Sequence, residues 1–431
     1  MLKRHLEPLL TEALADTPVV LLNGARQTGK STLVQALAAA QGRRYLTLDD
    51  RVVLAAVRDD PAGFVAGLQG PVALDEVQRA PELFLDLKAA VDRDRQPGRF
   101  LLTGSANVLL LPGLADTLAG RMEVLTLWPL SSAELQGQVG LNRAEALFDG
   151  ATELVEPQPC DRAILADTLL KGGFPEVVAR STHRRRAAWL DAYVETVLQR
   201  DVRDLAQLDQ LSELPHLLEL LAARSGGQLN LAELSRSTRL PQTTLRRYFA
   251  LLQTLFLVNL VPAWARNPGK RLVKSPKVFV PDTGLLCLLT HLDESRVAAG
   301  AALGLPGGLV ETYVAAQLQQ HLAFSSRGLT LWHYRTQAGV EVDFLLEDRA
   351  GRLTGIEVKA SASVDASDFK GLRHLQDSEP QAFQRGIVLY GGRERVAFSE
   401  RLMAVPLSWW WSPAAAPAPA PAPAPAAGFG H

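Results

Sequence analysis

The chain has 431 residues, 47% of them apolar, and its 45 Lys/Arg nearly balance 46 Asp/Glu for a net charge of −1. That length supports about two to four ordinary cores, and two isolated cysteines, Cys160 and Cys287, are too few for a disulfide framework or a zinc site. No stretch approaches the run of about 18 apolar residues that a membrane helix needs, and Met1 to His5 lead into an amphipathic stretch rather than a signal peptide, so a reduced, cytoplasmic protein is expected.

Val19 to Leu22 reads as a buried strand and Ser31 to Leu37 as a helix, with Gly24-Ala25-Arg26-Gln27-Thr28-Gly29-Lys30-Ser31 between them. Strand, glycine-rich loop and helix in that order are the context a Walker A motif needs. Gly24, Ala25, Arg26, Gln27, Thr28, Gly29, Lys30, Ser31 and Thr32 are the expected nucleotide-binding residues. The loop amides and the helix N-terminus point at phosphate, Lys30 adds a cation, and Ser31 offers a hydroxyl to Mg²⁺.

Pro71-Val72-Ala73-Leu74-Asp75-Glu76 is a short apolar strand ending in two carboxylates, the Walker B pattern. Asp75 is expected to hold Mg²⁺ and Glu76 to polarise an attacking water. A third strand, Phe100 to Ser105, ends in polar residues expected between those two motifs; Ser105, and after it Thr103, would sense the γ-phosphate. Arg121 reads either as a finger reaching a neighbour's phosphate, which implies a homo-oligomer, or as a surface ion-pair residue.

Six further runs extend this pattern: Tyr45-Leu46-Thr47-Leu48-Asp49-Asp50, Asp60-Pro61-Ala62-Gly63-Phe64, Leu74-Asp75-Glu76-Val77-Gln78, Leu102-Thr103-Gly104-Ser105, Leu118-Ala119-Gly120-Arg121 and Trp128-Pro129-Leu130-Ser131. Together with the Walker A loop they resemble a prokaryotic branch of the AAA+ superfamily whose ATPase is fused to a C-terminal region called DUF4143. Gly172-Gly173-Phe174-Pro175-Glu176 and Lys277 to Leu285 resemble landmarks of that later part. The resemblance covers nearly the whole chain except the tail, and it, rather than any residue here, implies ATP as the nucleotide.

Ala187 to Leu205 reads as one long helix, with Leu190, Tyr193, Val194, Val197 and Leu198 at helical spacing. Between Leu221 and Val280, ten Lys/Arg face Glu233 alone, a net +9 against −10 for the remainder. Such a segment suggests an anionic partner such as DNA. Leu229 to Ser235 and Gln242 to Leu252, broken by Leu240-Pro241, read as helix-turn-helix, with Leu245, Phe249 and Leu252 inward. Thr243, Thr244, Arg246 and Arg247 are left for DNA. Strands over Leu255 to Val261 and Lys277 to Val280, with a basic turn from Ala265 to Arg271 between them, read as a wing presenting Lys270 and Arg271. The same face could instead contact the ATPase or another protein.

Val340 to Leu346 and Thr354 to Lys359 read as a hairpin. Glu357 and Lys359 share one strand face, Asp343 can lie beside them, and Glu311 sits on a helix from about Gly308 to Leu322. Glu341 shares the face of Asp343. Carboxylates with a lysine suit metal-assisted phosphodiester cleavage, and the set resembles the restriction-endonuclease-like fold. That resemblance implies Glu311, Asp343, Glu357 and Lys359 as a second site, active or retained as a binding platform. Trp409-Trp410-Trp411 cannot all face one core, so one indole is expected to be exposed. From Ser412 onward, Pro-Ala alternation reads as an extended tail.

The expected fold class is α/β. It comprises a P-loop AAA+ core over 1–135, a helical lid over 136–208, a winged-helix-like basic region over 209–290, a restriction-endonuclease-like α/β domain over 291–411 and a tail over 412–431. The expected function is ATP hydrolysis with Mg²⁺ coupled to binding or processing DNA, with no membrane partner. The alternative is a nucleotide-dependent switch or scaffold for proteins with an inactive C-terminal domain.

Overall fold

Strands of four or five residues alternating with helices build a parallel sheet in the first third of the chain. Its strands are β1 (Val19–Asn23), β2 (Arg44–Thr47), β3 (Val72–Asp75), β4 (Phe100–Gly104) and β5 (Met122–Thr126), in the order β2-β3-β4-β1-β5. All four pairings are parallel. Alternate side chains feed two cores. Val19, Leu21, Leu74 and Leu102 pack with Phe84 and Leu87 on one face. Val20, Leu22, Ala73 and Leu101 pack with Leu10, Leu33 and Val34 on the other. Because β4 separates β1 from β3, its polar end lies between the two Walker motifs. The computed structural model describes residues 2–107, 110, 118–160, 162–202, 211–271, 274–293, 296–297 and 306–414.

The long helix expected from Ala187 starts earlier and changes character. It is α-helical over His183–Thr196 and π-helical over Val197–Asp201; residues 203–210 lie outside those described. The two helices of the basic region are Leu231–Thr238 and Gln242–Thr254. Asn230 caps the first by accepting from the Glu233 amide, and Arg239 ends it in the left-handed conformation. Leu245, Phe249 and Leu252 are buried as expected. The expected strand from Leu255 shrinks to β6 (Asn259–Val261), because the chain turns at Phe256 with φ 56°. β6 pairs antiparallel with β7 (Lys277–Phe279). Between them the expected basic turn contains a short helix, Pro268–Arg271.

The C-terminal sheet has six strands: β8 (Thr330–Arg335), β9 (Glu341–Glu347), β10 (Leu353–Lys359), β11 (Phe383–Tyr390), β12 (Val396–Ala397) and β13 (Leu402–Pro406). Their order is β12-β13-β11-β10-β9-β8. β8, β9 and β10 form an antiparallel meander, and β10, β11 and β13 run parallel. The helix Gly307–Leu322 lies against the sheet face carrying Phe344, Leu346 and Ile356. That face continues without a break into the core of the middle helices.

The tryptophan expectation fails. Trp409, Trp410 and Trp411 are 0, 0 and 9% exposed. Leu407–Trp410 is a 3-10 helix, which fans successive side chains about 120° apart, and protein meets each one. Trp409 Nε1 donates to the Thr152 carbonyl at 2.9 Å beneath the Arg143 guanidinium. Trp410 meets His321, and Trp411 meets Tyr313. The described chain also runs past Ser412, which is fully buried, to a bridge between Ala414 and Val155. The rest of the Pro-Ala tail, 415–431, lies outside the described residues.

Candidate nucleotide site and the C-terminal carboxylate cluster

Sequence dictates the loop after β1 through its glycines. Gly24 has φ 147°, and a Cβ there would stand 2.3 Å from the Leu127 carbonyl oxygen. Gly29, at φ 94°, starts the helix Lys30–Gln41 from the left-handed region. Lys30 is buried, its ammonium donating to the carbonyls of Gly24 at 3.0 Å and Ala25 at 2.7 Å. Burial lowers its pKa to about 8, against the opposing pull of Glu76 and Asp75. Arg26 pairs with Asp201 at 2.9 Å, so the loop is tied to the π-helical turn.

Asp75 gathers three hydroxyls. Ser31 Oγ donates to Oδ1 at 3.1 Å, Thr103 Oγ1 donates to the same oxygen, and Tyr45 donates to Oδ2 at 2.6 Å. Burial and this bond hold the Tyr45 phenol above its ordinary range. Glu76 takes a left-handed backbone, φ 60° and ψ 43°, a conformation disfavoured for a residue with a side chain. Its Oε2 accepts from Ser105 Oγ at 3.0 Å and from Gln78 Nε2, which also donates to Ser105 Oγ at 2.8 Å. Both sensor candidates therefore touch a Walker B acid, Thr103 on Asp75 and Ser105 on Glu76. Thr32 lies in the first turn of the helix, and the buried Thr28 hydroxyl donates to Ala25 O.

Three contributors are not marked as site residues by the sequence. Tyr45 and Gln78 lie inside runs that carry the family resemblance, which is their available signal. Arg4 donates to Thr28 O at 2.7 Å and pairs with Glu134 at 3.0 Å; nothing local marks it. Arg121 is not brought to this pocket. It precedes β5, at the opposite end of the sheet from the loop, and pairs with Asp92 and with Ala119 O.

On the second helix of the helix-turn-helix, Thr243, Arg246 and Arg247 are exposed and Thr244 is half-buried. Arg271 departs from the expected wing. Its guanidinium makes two bonds to Glu347, at 2.7 and 2.9 Å, and lies 4.7 Å from the Trp332 ring centre. Paired and stacked in this way, it is withdrawn from solvent and serves packing. The Lys270 side chain lies outside what is described.

In the C-terminal sheet, Asp343, Glu357 and Lys359 meet as the hairpin register requires. Asp343 Oδ2 accepts from the Val358 amide at 3.0 Å, and Lys359 donates to Glu357 at 3.0 Å. Glu311 joins them, but through a residue that charge counting marks only as part of a basic surface. Lys277 Nζ lies 2.9 Å from Asp343, 3.2 Å from Glu311 and 3.7 Å from Glu341. Burial and then the Asp343 charge raise Glu311 to about 7 and Glu357 to about 8. Burial alone would lower Lys277, but Asp343, Glu311 and Glu341 outweigh it and hold the ammonium charged.

The profile of the AAA domain family matches residues 16–136, a domain of unknown function named DUF8612 matches 162–296, and DUF4143 matches 306–410. An uncharacterized protein of Mycobacterium tuberculosis, Rv2008c, is 33% identical over 407 residues, covering 94% of this chain and 83% of that one. Among solved structures, the Walker-type ATPase PABY2304 of Pyrococcus abyssi is similar at 16% identity and TM-score 0.40, over 67% of this chain and 96% of that one. The Holliday junction branch migration motor RuvB of Thermotoga maritima is similar at 22% identity and TM-score 0.28, over 61% and 87%. With a P-loop site assembled on a parallel sheet, and with a relative matched along most of both chains, this protein belongs to the family of AAA-type P-loop ATPases that carry a C-terminal DUF4143 region.

Proposed function

We propose that the chain hydrolyses ATP at the β1 loop and couples the nucleotide state to DNA binding by the helix-turn-helix. The observation that carries the coupling is a short bonded path. The Asn107 amide, just past β4, donates to the Thr254 carbonyl at 2.7 Å, at the end of the second helix. The Asn107 side chain accepts from Asn23, the last residue of β1, at 3.4 Å. A change at the end of β1 is thus two hydrogen bonds from the exposed basic helix. The Arg26–Asp201 pair offers a second connection, from the loop itself to the middle helices.

In this reading Lys30 and the loop amides bind the phosphates, and Glu76, oriented by Ser105 and Gln78, takes the proton of the attacking water. The convergence of the Ser31 hydroxyl with the Asp75 carboxylate fits a hard cation with oxygen ligands. Those two residues would hold Mg²⁺, which would offset phosphate charge. Exposed Arg236, Arg239, Arg246 and Arg247 supply the electrostatic attraction for DNA. The C-terminal sheet enters as a platform.

The test is steady-state ATP turnover with Mg²⁺, with and without linear or branched duplex DNA, using Lys30→Ala as the blank. Stimulation by DNA that disappears in Arg246→Ala/Arg247→Ala is expected. Turnover indifferent to DNA at low salt would refute the coupling and favour a nucleotide-dependent switch that binds proteins.

A further inference from the structure

Lys277 opens β7, the second strand of the hairpin that follows the helix-turn-helix, yet its ammonium lies against the C-terminal sheet. Its side chain is 3% exposed. Asp343 and Glu341 stand on one face of β9, two residues apart, and Glu311 approaches from the helix Gly307–Leu322. The three carboxylates reach one nitrogen, within 2.9 to 3.7 Å. The metal-assisted cleavage expected from the sequence would require a divalent cation among the same oxygens.

We infer that Lys277 is a built-in cation that closes the C-terminal carboxylate cluster to divalent metals and fastens the β6–β7 hairpin to the C-terminal sheet. Both oxygens of Asp343 are already used, Oδ1 by Lys277 and Oδ2 by the Val358 amide. Glu357 turns one oxygen to Lys359, while its other is buried without a partner. Counted formally, the carboxylates of Glu311, Glu341, Asp343 and Glu357 are met by Lys277, Lys359 and Arg335. The set is almost neutral as it stands. A divalent ion added beside a buried ammonium would meet repulsion instead of uncompensated negative charge. Among the described residues, no group of three or more His, Cys, Asp or Glu is arranged to hold a metal ion.

The backbone of the middle region also covers the cluster. Gly226 N donates to Val278 O at 2.8 Å and Val278 N donates to Gly227 O at 2.9 Å, laying the Gly226-Gly227 turn along β7. A Cβ on Gly226 would lie 3.0 Å from Glu311 Oε2. Lys277 is therefore held in place from its own strand and from the turn beside it. The inference stands whether or not the helix-turn-helix binds DNA.

Free Mn²⁺ measured by electron paramagnetic resonance tests it on the full chain. An Asp75→Asn background silences the nucleotide site. With Lys277 intact, adding Asp343→Asn should leave Mn²⁺ uptake unchanged, because the cluster takes none. Lys277→Met should gain a bound Mn²⁺ that Asp343→Asn removes again. Uptake by the Lys277-intact chain that Asp343→Asn abolishes would overturn the inference. So would a folded Lys277→Met chain, verified by circular dichroism, that gains no Mn²⁺. If Lys277→Met does not fold, the comparison with Lys277 intact still decides whether the cluster admits metal.

Discussion

Asp343→Asn removes the carboxylate nearest the Lys277 ammonium while keeping shape. Two unit charges 2.9 Å apart attract by about 6 kcal/mol at an effective dielectric of about 20. Part of that offsets desolvation, and deleting one partner of a buried pair typically costs about 3–5 kcal/mol. Glu311 and Glu341 remain within 3.2 and 3.7 Å of the ammonium, so the lower end, about 3 kcal/mol, is expected. Glu341→Gln is the internal comparison. That side chain is one-third exposed and more distant, and its loss should cost about 1 kcal/mol or less. Glu357→Gln should be close to neutral at pH 6, because a carboxyl raised to about 8 already carries a proton there. Urea unfolding at pH 6, followed by tryptophan fluorescence, measures all three. If Asp343→Asn costs no more than Glu341→Gln, the ion pair does not hold this part of the fold and the reasoning is wrong.

Glu76→Gln should retain nucleotide binding while slowing turnover about 10²-fold or more, and Lys30→Ala should abolish turnover; comparable turnover in either variant would move the chemistry elsewhere. Arg246→Ala/Arg247→Ala should lower the salt dependence of DNA affinity by about 0.9 for each phosphate no longer neutralised. Arg271→Ala should instead lower stability and leave that slope unchanged, because its guanidinium is committed to Glu347. On the balance of His321, His333, Glu311 and Glu357, stability should be level between about pH 4.5 and 6.5, where their opposing slopes cancel, and fall on either side. His321 and His333 are held below 6.5 by burial, His333 to about 4, so the folded state resists protons that the unfolded chain accepts. Their contribution is present above pH 6.5 and is lost as pH falls, by about 1.4 kcal/mol per unit for each group. Glu311 and Glu357, raised to about 7 and 8, keep protons that the unfolded chain releases above 4.5. Their contribution is present at low pH and is lost as pH rises toward 8. Glu357→Gln should flatten that alkaline limb in denaturation curves; an unchanged limb would contradict the assignment.

The nucleotide site is legible in the sequence because its determinants are contiguous. Glycines at 24 and 29 fix a local backbone, and the polar residues that end the Phe100 to Ser105 run mark the strand that lies between the two Walker motifs. The hairpin of β9 and β10 is legible for the same reason. What escapes is set by residues distant in sequence. Lys277 meets Asp343 across 66 positions, and Arg271 meets Glu347 across 76. Charge counting places both on a surface, although each has a carboxylate waiting on another element. The three tryptophans mislead because a 3-10 turn directs neighbours apart, and no periodicity argument anticipates that every direction is filled.

The left-handed backbone of Glu76 has a consequence for anyone evolving this protein. Holding a residue with a side chain in that region costs about 1–3 kcal/mol, and glycine adopts it freely apart from its larger entropy loss on folding. The carboxylate that we propose activates the attacking water therefore sits where the fold itself would favour glycine. A screen for heat resistance alone would be drawn to Glu76→Gly, and on the proposed role of that carboxylate its most robust winners would be inert.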